Sequence, residues 1–300
     1  MNITTAIEHY INALNEQGKA ETTIKGYKND LTKFVEFIET TIKDEAHAGG
    51  TGVANIPHKA FEEYAQFLKS SGFKPATINR RIVSVRKFFE YLHGEKLISE
   101  NPTGKVKTVK VAKQNVIKWL DPVETQQLLN AVDDMPHTGK EKKIRNKAIL
   151  SVFLNCGLRL SELCDLRIEH VFFGRSYLMV VDGKGDKTRI IPMGKVTQEA
   201  VKLWLAIRDS DSPYVFSSER SDQMSTRAVQ HLIESLATIS KLDMTVHSLR
   251  HTFAKRFAEK TNGNLEALAQ VLGHESIETT RIYVTSSMKE IARVMADMEV

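Results

Sequence analysis

Along the first hundred residues, apolar side chains recur at the three-and-four spacing of an α-helix, with none of the strict alternation of a strand. Ile3, Ile7, Tyr10 and Leu14 form one stripe, Ile24, Tyr27, Leu31, Phe34 and Ile38 a second, and Phe61, Tyr64 and Leu68 a third. The clearest is the fourth, in which Ile78, Ile82, Val85, Phe89 and Leu92 fall on one side of a helical wheel. Four amphipathic helices that each bury one stripe predict a helical domain with its own core. Between the second and third, residues 40–55 hold Gly49, Gly50 and Gly52 among small and polar residues and read as an exposed loop. Asn101-Pro102-Thr103-Gly104 is expected to stop the fourth helix.

Beyond residue 104 the pattern changes. Lys105, Lys107, Lys110 and Lys113 alternate with Val and Thr, which predicts an extended basic linker over residues 105–115 and places the domain boundary there. Asp121-Pro122-Val123-Glu124 sets a capping acid, a proline at the first helical position and a second acid three residues after the cap. That opens a helix to about Val132. A further helix, from about Lys143 to Asn155, ends at Gly157. Tyr177–Val181 and Arg189–Pro192 read as strands joined by Asp182-Gly183-Lys184-Gly185-Asp186, a β-hairpin with Lys184 near its tip. Helix starts are expected near Thr197, Ser225, His247, Asn264 and Ser276. Met288, Ile291, Ala292, Met295 and Met298 predict a last amphipathic helix over 287–299. The expected fold is mainly α with a small β-sheet in the second domain: residues 1–104 form the helical domain and residues 116–300 a mixed α+β domain.

Composition narrows the function. A chain of 300 residues with 41% hydrophobic content is long enough for two cores. No run approaches the roughly 18 apolar residues of a membrane span, so no membrane partner is expected. The first residues lack the basic and apolar regions of a secretory signal, which makes the cytoplasm the expected location. Cys156 and Cys164 lie in apolar helical patterns and are too few for a disulfide framework or a cysteine-rich zinc site. A net charge of +5 suits a polyanionic partner without requiring one. Its distribution says more. No acidic residue interrupts Lys74 to Phe89, and Arg80, Ser84 and Lys87 share the face opposite the apolar stripe, with Arg81 and Arg86 on its flanks. Soluble helices usually mix both signs, so Lys74, Arg80, Arg81, Ser84, Arg86 and Lys87 are candidate DNA contacts, together with Lys105, Lys107 and Lys110. The plain alternative is a solvated helix face.

Five clusters in the second domain carry candidate chemistry: Gly157-Leu158-Arg159-Leu160-Ser161-Glu162-Leu163, Gly183-Lys184-Gly185, His247-Ser248-Leu249-Arg250-His251, Leu272-Gly273-His274 and Thr279-Thr280-Arg281-Ile282-Tyr283. In this order and at these separations they resemble the tyrosine recombinases, the integrase family that includes the Xer proteins, lambda integrase and Cre. In the first domain, residues 22–37 and 78–102 look like the family's SAM-like core-binding domain, including Asn79-Arg80-Arg81 and Asn101-Pro102. The resemblance implies a core-binding domain followed by a catalytic domain. It implies catalytic roles for Arg159, Lys184, His247, Arg250, His274 and Tyr283, with Tyr283 as nucleophile. It further implies duplex DNA with specific recombination sites as partner, two domains clamped on the duplex, and a homo-tetramer working on two sites through a Holliday junction. A sister recombinase or accessory factor fits the same scheme, as does a last helix that packs on a neighbouring protomer. The glycine-containing loop at 40–55 departs from the compact Xer pattern, which leaves chromosome dimer resolution and a mobile-element role both open.

Elementary chemistry supports these roles. Attack on a phosphodiester concentrates negative charge on the non-bridging oxygens, which preorganised cations stabilise. Arginine forks such as Arg159 and Arg250 grip those oxygens two at a time, and His274 can donate a further hydrogen bond. A phenol with a pKa of about 10 needs a proton acceptor, here His247. The leaving 5′ oxygen needs an acid, here Lys184, although Lys187 and Arg189 share its hairpin. No cofactor or metal is expected. His247 and His251 are spaced like a zinc pair, but Ser248 stands where such a motif needs glutamate. His251 is expected to buttress the site, while Glu162 either braces a histidine or arginine or faces solvent. Two other readings share parts of the pattern: DNA relaxation like that of type IB topoisomerases, and a DNA-binding module without activity.

Overall fold

Each apolar stripe of the first hundred residues becomes the buried side of a helix: α1 (Ile3–Glu16), α2 (Glu21–Thr41), α3 (His58–Ser70) and α4 (Pro75–Gly94). The computed structural model describes residues 1–41, 52–104, 108–109, 118–181, 188–218, 221–273 and Thr280. Its contacts divide the chain into two units, Met1–Gln114 and Asn115–Val300. None of the described helices is long and apolar enough to cross a membrane.

In the first unit, α1 starts at Asn2, whose side chain accepts from the Thr4 N–H at 3.0 Å, and α4 starts with Pro75 at a position where no amide donor is needed. Phe34, Phe61, Tyr64, Phe88 and Phe89 fill the core between the helices. Phe61 and Phe89 meet edge to face with centroids 4.9 Å apart, and Phe34 and Tyr64 at 5.0 Å. Such pairs add about 0.5–1.5 kcal/mol each beyond their buried area. The expected end of α4 needs correction. It stops at Gly94, ahead of Asn101, and Lys96 then adopts a positive φ of 58°. Asn101 forms a separate turn instead, its side-chain oxygen accepting from the Thr103 amide at 3.0 Å and hydroxyl at 2.8 Å. Of the expected loop at 40–55, Val53–Asn55 is a short 3₁₀ turn with Val53 buried, and residues 42–51 lie outside the described residues.

The second unit begins with α5 (Pro122–Asp133), whose expected cap is present in both directions: Glu124 N–H to Asp121 at 2.8 Å and Asp121 N–H to Glu124 at 3.0 Å. α6 (Lys140–Cys156) runs through the centre and buries consecutive residues, Ala148 to Phe153, as a helix enclosed on all sides must. Gly157 caps it in the left-handed conformation at φ 65°. A side chain there would overlap the Phe253 ring, so the position is held for glycine by both backbone and packing. The chain then makes α7 (Leu160–Cys164) and an antiparallel sheet of β1 (Val171–Phe172), β2 (Tyr177–Val181) and β3 (Thr188–Pro192), with Val180 opposite Arg189 and Leu178 opposite Ile191. Neither α7 nor β1 was expected; five residues and two residues are too short to show a period. α8 (Lys195–Ile207) and α10 (Val246–Lys260) pack on α6, α9 (Thr226–Ser240) packs on α5, and α11 (Leu265–Leu272) packs on α10 and β3. Cys156 and Cys164 are free and buried, and burial pushes both thiols up to about 12, as suits core residues. Of the helix expected from Ser276 only Thr280, helical and buried, is among the described residues, and 287–299 lies outside them.

Candidate active site and the basic helix

Gly157 ends α6 so that the chain turns at once into α7, with Arg159 at its cap. The carboxylate of Glu162, three residues on, accepts from the Arg159 amide at 2.6 Å and from Arg159 Nη1 at 2.7 Å. From β3, Arg189 grips both oxygens of the same carboxylate, Nη1 at 2.8 Å and Nη2 at 2.7 Å. Arg250, on α10, brings Nη1 within 3.9 Å of it. The same three guanidinium groups also read three successive carbonyls at the end of α11. Arg189 Nε donates to Val271 O at 2.8 Å, Arg250 Nη2 to Leu272 O at 2.7 Å and Arg159 Nη2 to Gly273 O at 2.9 Å. These are carbonyls that a helix leaves unpaired at its negative end, where cations are favoured. Arg250 Nη1 closes the arrangement on Gly157 O at 2.6 Å.

Burial alone would raise the Glu162 pKa, but the hydrogen bonds and charges of Arg189 and Arg159 override it and hold the carboxyl down at about 2. One carboxylate cannot neutralise three arginines, so the cluster keeps a positive field. Its members differ in reach: the side chain of Arg159 is 42% exposed, whereas those of Glu162 and Arg189 are 11% and 12% exposed. Because the folded pKa of Glu162 lies below its unfolded value, the stabilisation it brings is complete above the ordinary carboxylate range. It is lost as pH falls toward about 2. Urea unfolding of wild type and Glu162→Gln across pH is therefore expected to give a gap on the order of 3 kcal/mol near neutrality that closes between pH ~5 and ~2. A gap independent of pH would contradict the assignment.

His247 is exposed in the first turn of α10, and Ser248 is buried, its hydroxyl accepting from the Thr245 amide at 3.1 Å. His251, half-buried one turn on, has its pKa lowered by burial and then by His247 and Arg250, which keeps its imidazole neutral at neutral pH. Among the described residues no three His, Cys, Asp or Glu side chains gather as metal ligands. Folding thus brings Arg159 and Arg250 together around Glu162, with His247 on the same helix as Arg250. Lys184, His274 and Tyr283 lie outside the described residues.

Glu162 braces arginines and does not face solvent. Arg189, the alternative acid on the hairpin, instead has all three side-chain nitrogens paired inside the protein. The strand register held the signal: opposite residues share a face, so Arg189 opposite the buried Val180 points inward, and an inward arginine needs a buried anion.

On α4, the acid-free run is not acid-free in space. Asp30, buried on α2, pairs with Arg80, lies 3.9 Å from Arg81 Nε, and accepts from the Ser84 hydroxyl at 2.8 Å. Ser84 is buried, which corrects its expected place on the charged face. Arg81 lies half-buried with its guanidinium 4.2 Å over the Phe73 ring, and Lys87 pairs with Glu90 at 2.7 Å. Lys74, Arg80 and Lys87 are exposed, and Arg86 is half-buried. Lys105, Lys107 and Lys110 lie outside the described residues.

Comparison with known proteins agrees with this architecture. Residues 7–96 match the family model described as phage integrase, N-terminal SAM-like domain, and residues 118–290 match that of the phage integrase family. Tyrosine recombinase XerC of Thermodesulfovibrio yellowstonii is 33% identical over 300 residues, covering 96% of this chain and 94% of the relative. Tyrosine recombinase XerD of Vibrio cholerae serotype O1 is 30% identical over 288 residues, covering 92% and 90%. Among solved structures, the Tn1549 transposon integrase in complex with a circular intermediate DNA matches with a TM-score of 0.74 at 18% identity, over 98% of this chain and 99% of that one. At that identity the likeness concerns the fold.

Proposed function

From the membership of this chain in the phage integrase family, we infer that it is a site-specific tyrosine recombinase, with Tyr283 as its nucleophile. The observation that most supports this reading is the convergence of Arg159 and Arg250, from α7 and α10, on Glu162 and on the carbonyls just ahead of His274. The relatives matched across both domains are tyrosine recombinases, which does not favour the topoisomerase or inactive-module readings.

In the proposed reaction Arg159 and Arg250 hold the non-bridging oxygens, His274 donates to the same oxygens, and His247 takes the phenol proton. The Tyr283 oxygen bonds to phosphorus, the bond to the 5′ oxygen breaks, and Lys184 protonates that oxygen. A 3′-phosphotyrosyl ester and a free 5′ hydroxyl result. One phosphoester replaces another, so a second 5′ hydroxyl can reverse the step without an external energy source. The partner is duplex DNA carrying recombination sites. Lys74, Arg80, Arg81, Arg86 and Lys87 of α4, with Lys105, Lys107 and Lys110, are proposed contacts to its backbone, and a homo-tetramer on two sites is the proposed working assembly.

A duplex nicked so that the released 5′ fragment diffuses away tests the reaction class. A DNA–protein adduct resistant to denaturant is expected, in equal yield with and without EDTA. Cleavage without adduct, or cleavage abolished by the chelator, would point to a metal nuclease.

A further inference from the structure

Arg189 has its Nε, Nη1 and Nη2 all engaged by protein acceptors and is 12% exposed, whereas the Arg159 side chain is 42% exposed, so of the two only Arg159 is open to a ligand from solvent. Its partners are informative. On one side it holds both oxygens of Glu162, the carboxylate that orients Arg159 through two further hydrogen bonds. On the other it holds the Val271 carbonyl, in the helix end that Arg159 and Arg250 also grip. Arg189 also fills the space beside Gly273, where a side chain on that left-handed residue would come within 3.1 Å of Nη1.

We propose that Arg189 is a positioning residue of the recombinase reaction: it locks Glu162 and the end of α11 together, and thereby fixes where Arg159 presents its guanidinium to the scissile phosphate. The inference rests on the reading of Arg159 as a phosphate ligand. The lock needs the planar fork of arginine. A lysine ammonium keeps the charge but cannot donate two parallel bonds to a carboxylate and a third to a carbonyl from one rigid group. With the fork gone, neither the Glu162 carboxylate that holds Arg159 nor the helix end beside it is fixed, so Arg159 loses its set position toward the phosphate, and binding of DNA elsewhere is untouched.

The test compares Arg189→Lys with wild type on two nicked duplexes, one carrying the normal phosphodiester and one a methylphosphonate at the cleavage position. A methyl group in place of a non-bridging oxygen removes the charge that Arg159 stabilises. On the phosphodiester, strand cleavage is expected to fall ~100-fold with duplex affinity within ~3-fold of wild type, while on the methylphosphonate the deficit narrows to under ~10-fold. Equal deficits on both substrates would mean a merely structural role, and no deficit on either would mean no role; both overturn the proposal. If Arg189→Lys does not fold, Glu162→Gln removes the same lock from the other side and is held to the same pattern. Wild-type protein that forms no adduct on the phosphodiester would overturn the underlying reading, and the inference with it.

Discussion

Replacing Tyr283 with phenylalanine is expected to eliminate the covalent DNA adduct, a loss of ~10⁵ or more, comparable to removing the nucleophile from other covalent enzymes. The substitution deletes one oxygen and keeps the ring, so packing and charge are preserved and DNA affinity stays near wild type. No neighbouring group can substitute for the lost oxygen without forming a different bond. A serine or threonine ester would carry another residue, and attack by water would leave no adduct. Denaturing electrophoresis of the nicked-duplex reaction, alongside a binding titration, separates these outcomes. Undiminished adduct in Tyr283→Phe would remove the nucleophile assignment.

Arg250→Ala is expected to lower cleavage by ~10²–10³ through lost charge stabilisation, and to destabilise the second domain by about 2–3 kcal/mol. The second effect follows from what Arg250 holds. It is a buried cation joining the carbonyl of Gly157, where α6 ends, to that of Leu272, where α11 ends. Alanine leaves both carbonyls without this donor and Glu162 without a nearby cation at 3.9 Å. Arg250→Lys keeps the charge but cannot bridge two acceptors in one plane, so it is expected to recover part of the stability and little of the rate. Single-turnover cleavage and urea unfolding of the two variants measure the split. Near-wild-type cleavage by either would contradict the role given to Arg250.

Much of this architecture was legible in the chain because burial writes periodicity. The stripes from Ile3 to Leu14 and from Ile78 to Leu92 marked α1 and α4 directly, and the Asp121–Glu124 box and Gly157 marked the start of α5 and the end of α6. What was missed lacked a local signal. α7 and β1 are shorter than any period, and α4 ends at Gly94 in a turn where Lys96 takes a positive φ and the Leu97 amide donates back to Leu92 O at 2.9 Å, a conformation that no glycine or proline marks at that position. Long-range charge pairing was hidden for a different reason. Asp30 lies on another helix from Arg80, so a run of basic residues looked uncompensated until the helices were packed.

Of the candidate site, the arginine cluster around Glu162 was legible in part as residue types, and less so as a network. Arg159 and Arg250 could be named from their clusters, but the carboxylate between them was left undecided and Arg189 went unassigned to it. Their relation is set by a crossing of α7, β3, α10 and the end of α11, elements separated along the chain and joined only in the fold.

The most direct test is to trap wild-type protein on a nicked duplex, digest it, and identify by mass spectrometry which residue carries DNA and through which end. A 3′-phosphate on the oxygen of Tyr283, with the released strand bearing a 5′ hydroxyl, is the predicted result. DNA attached to any other residue, or through a 5′-phosphate, would contradict the account.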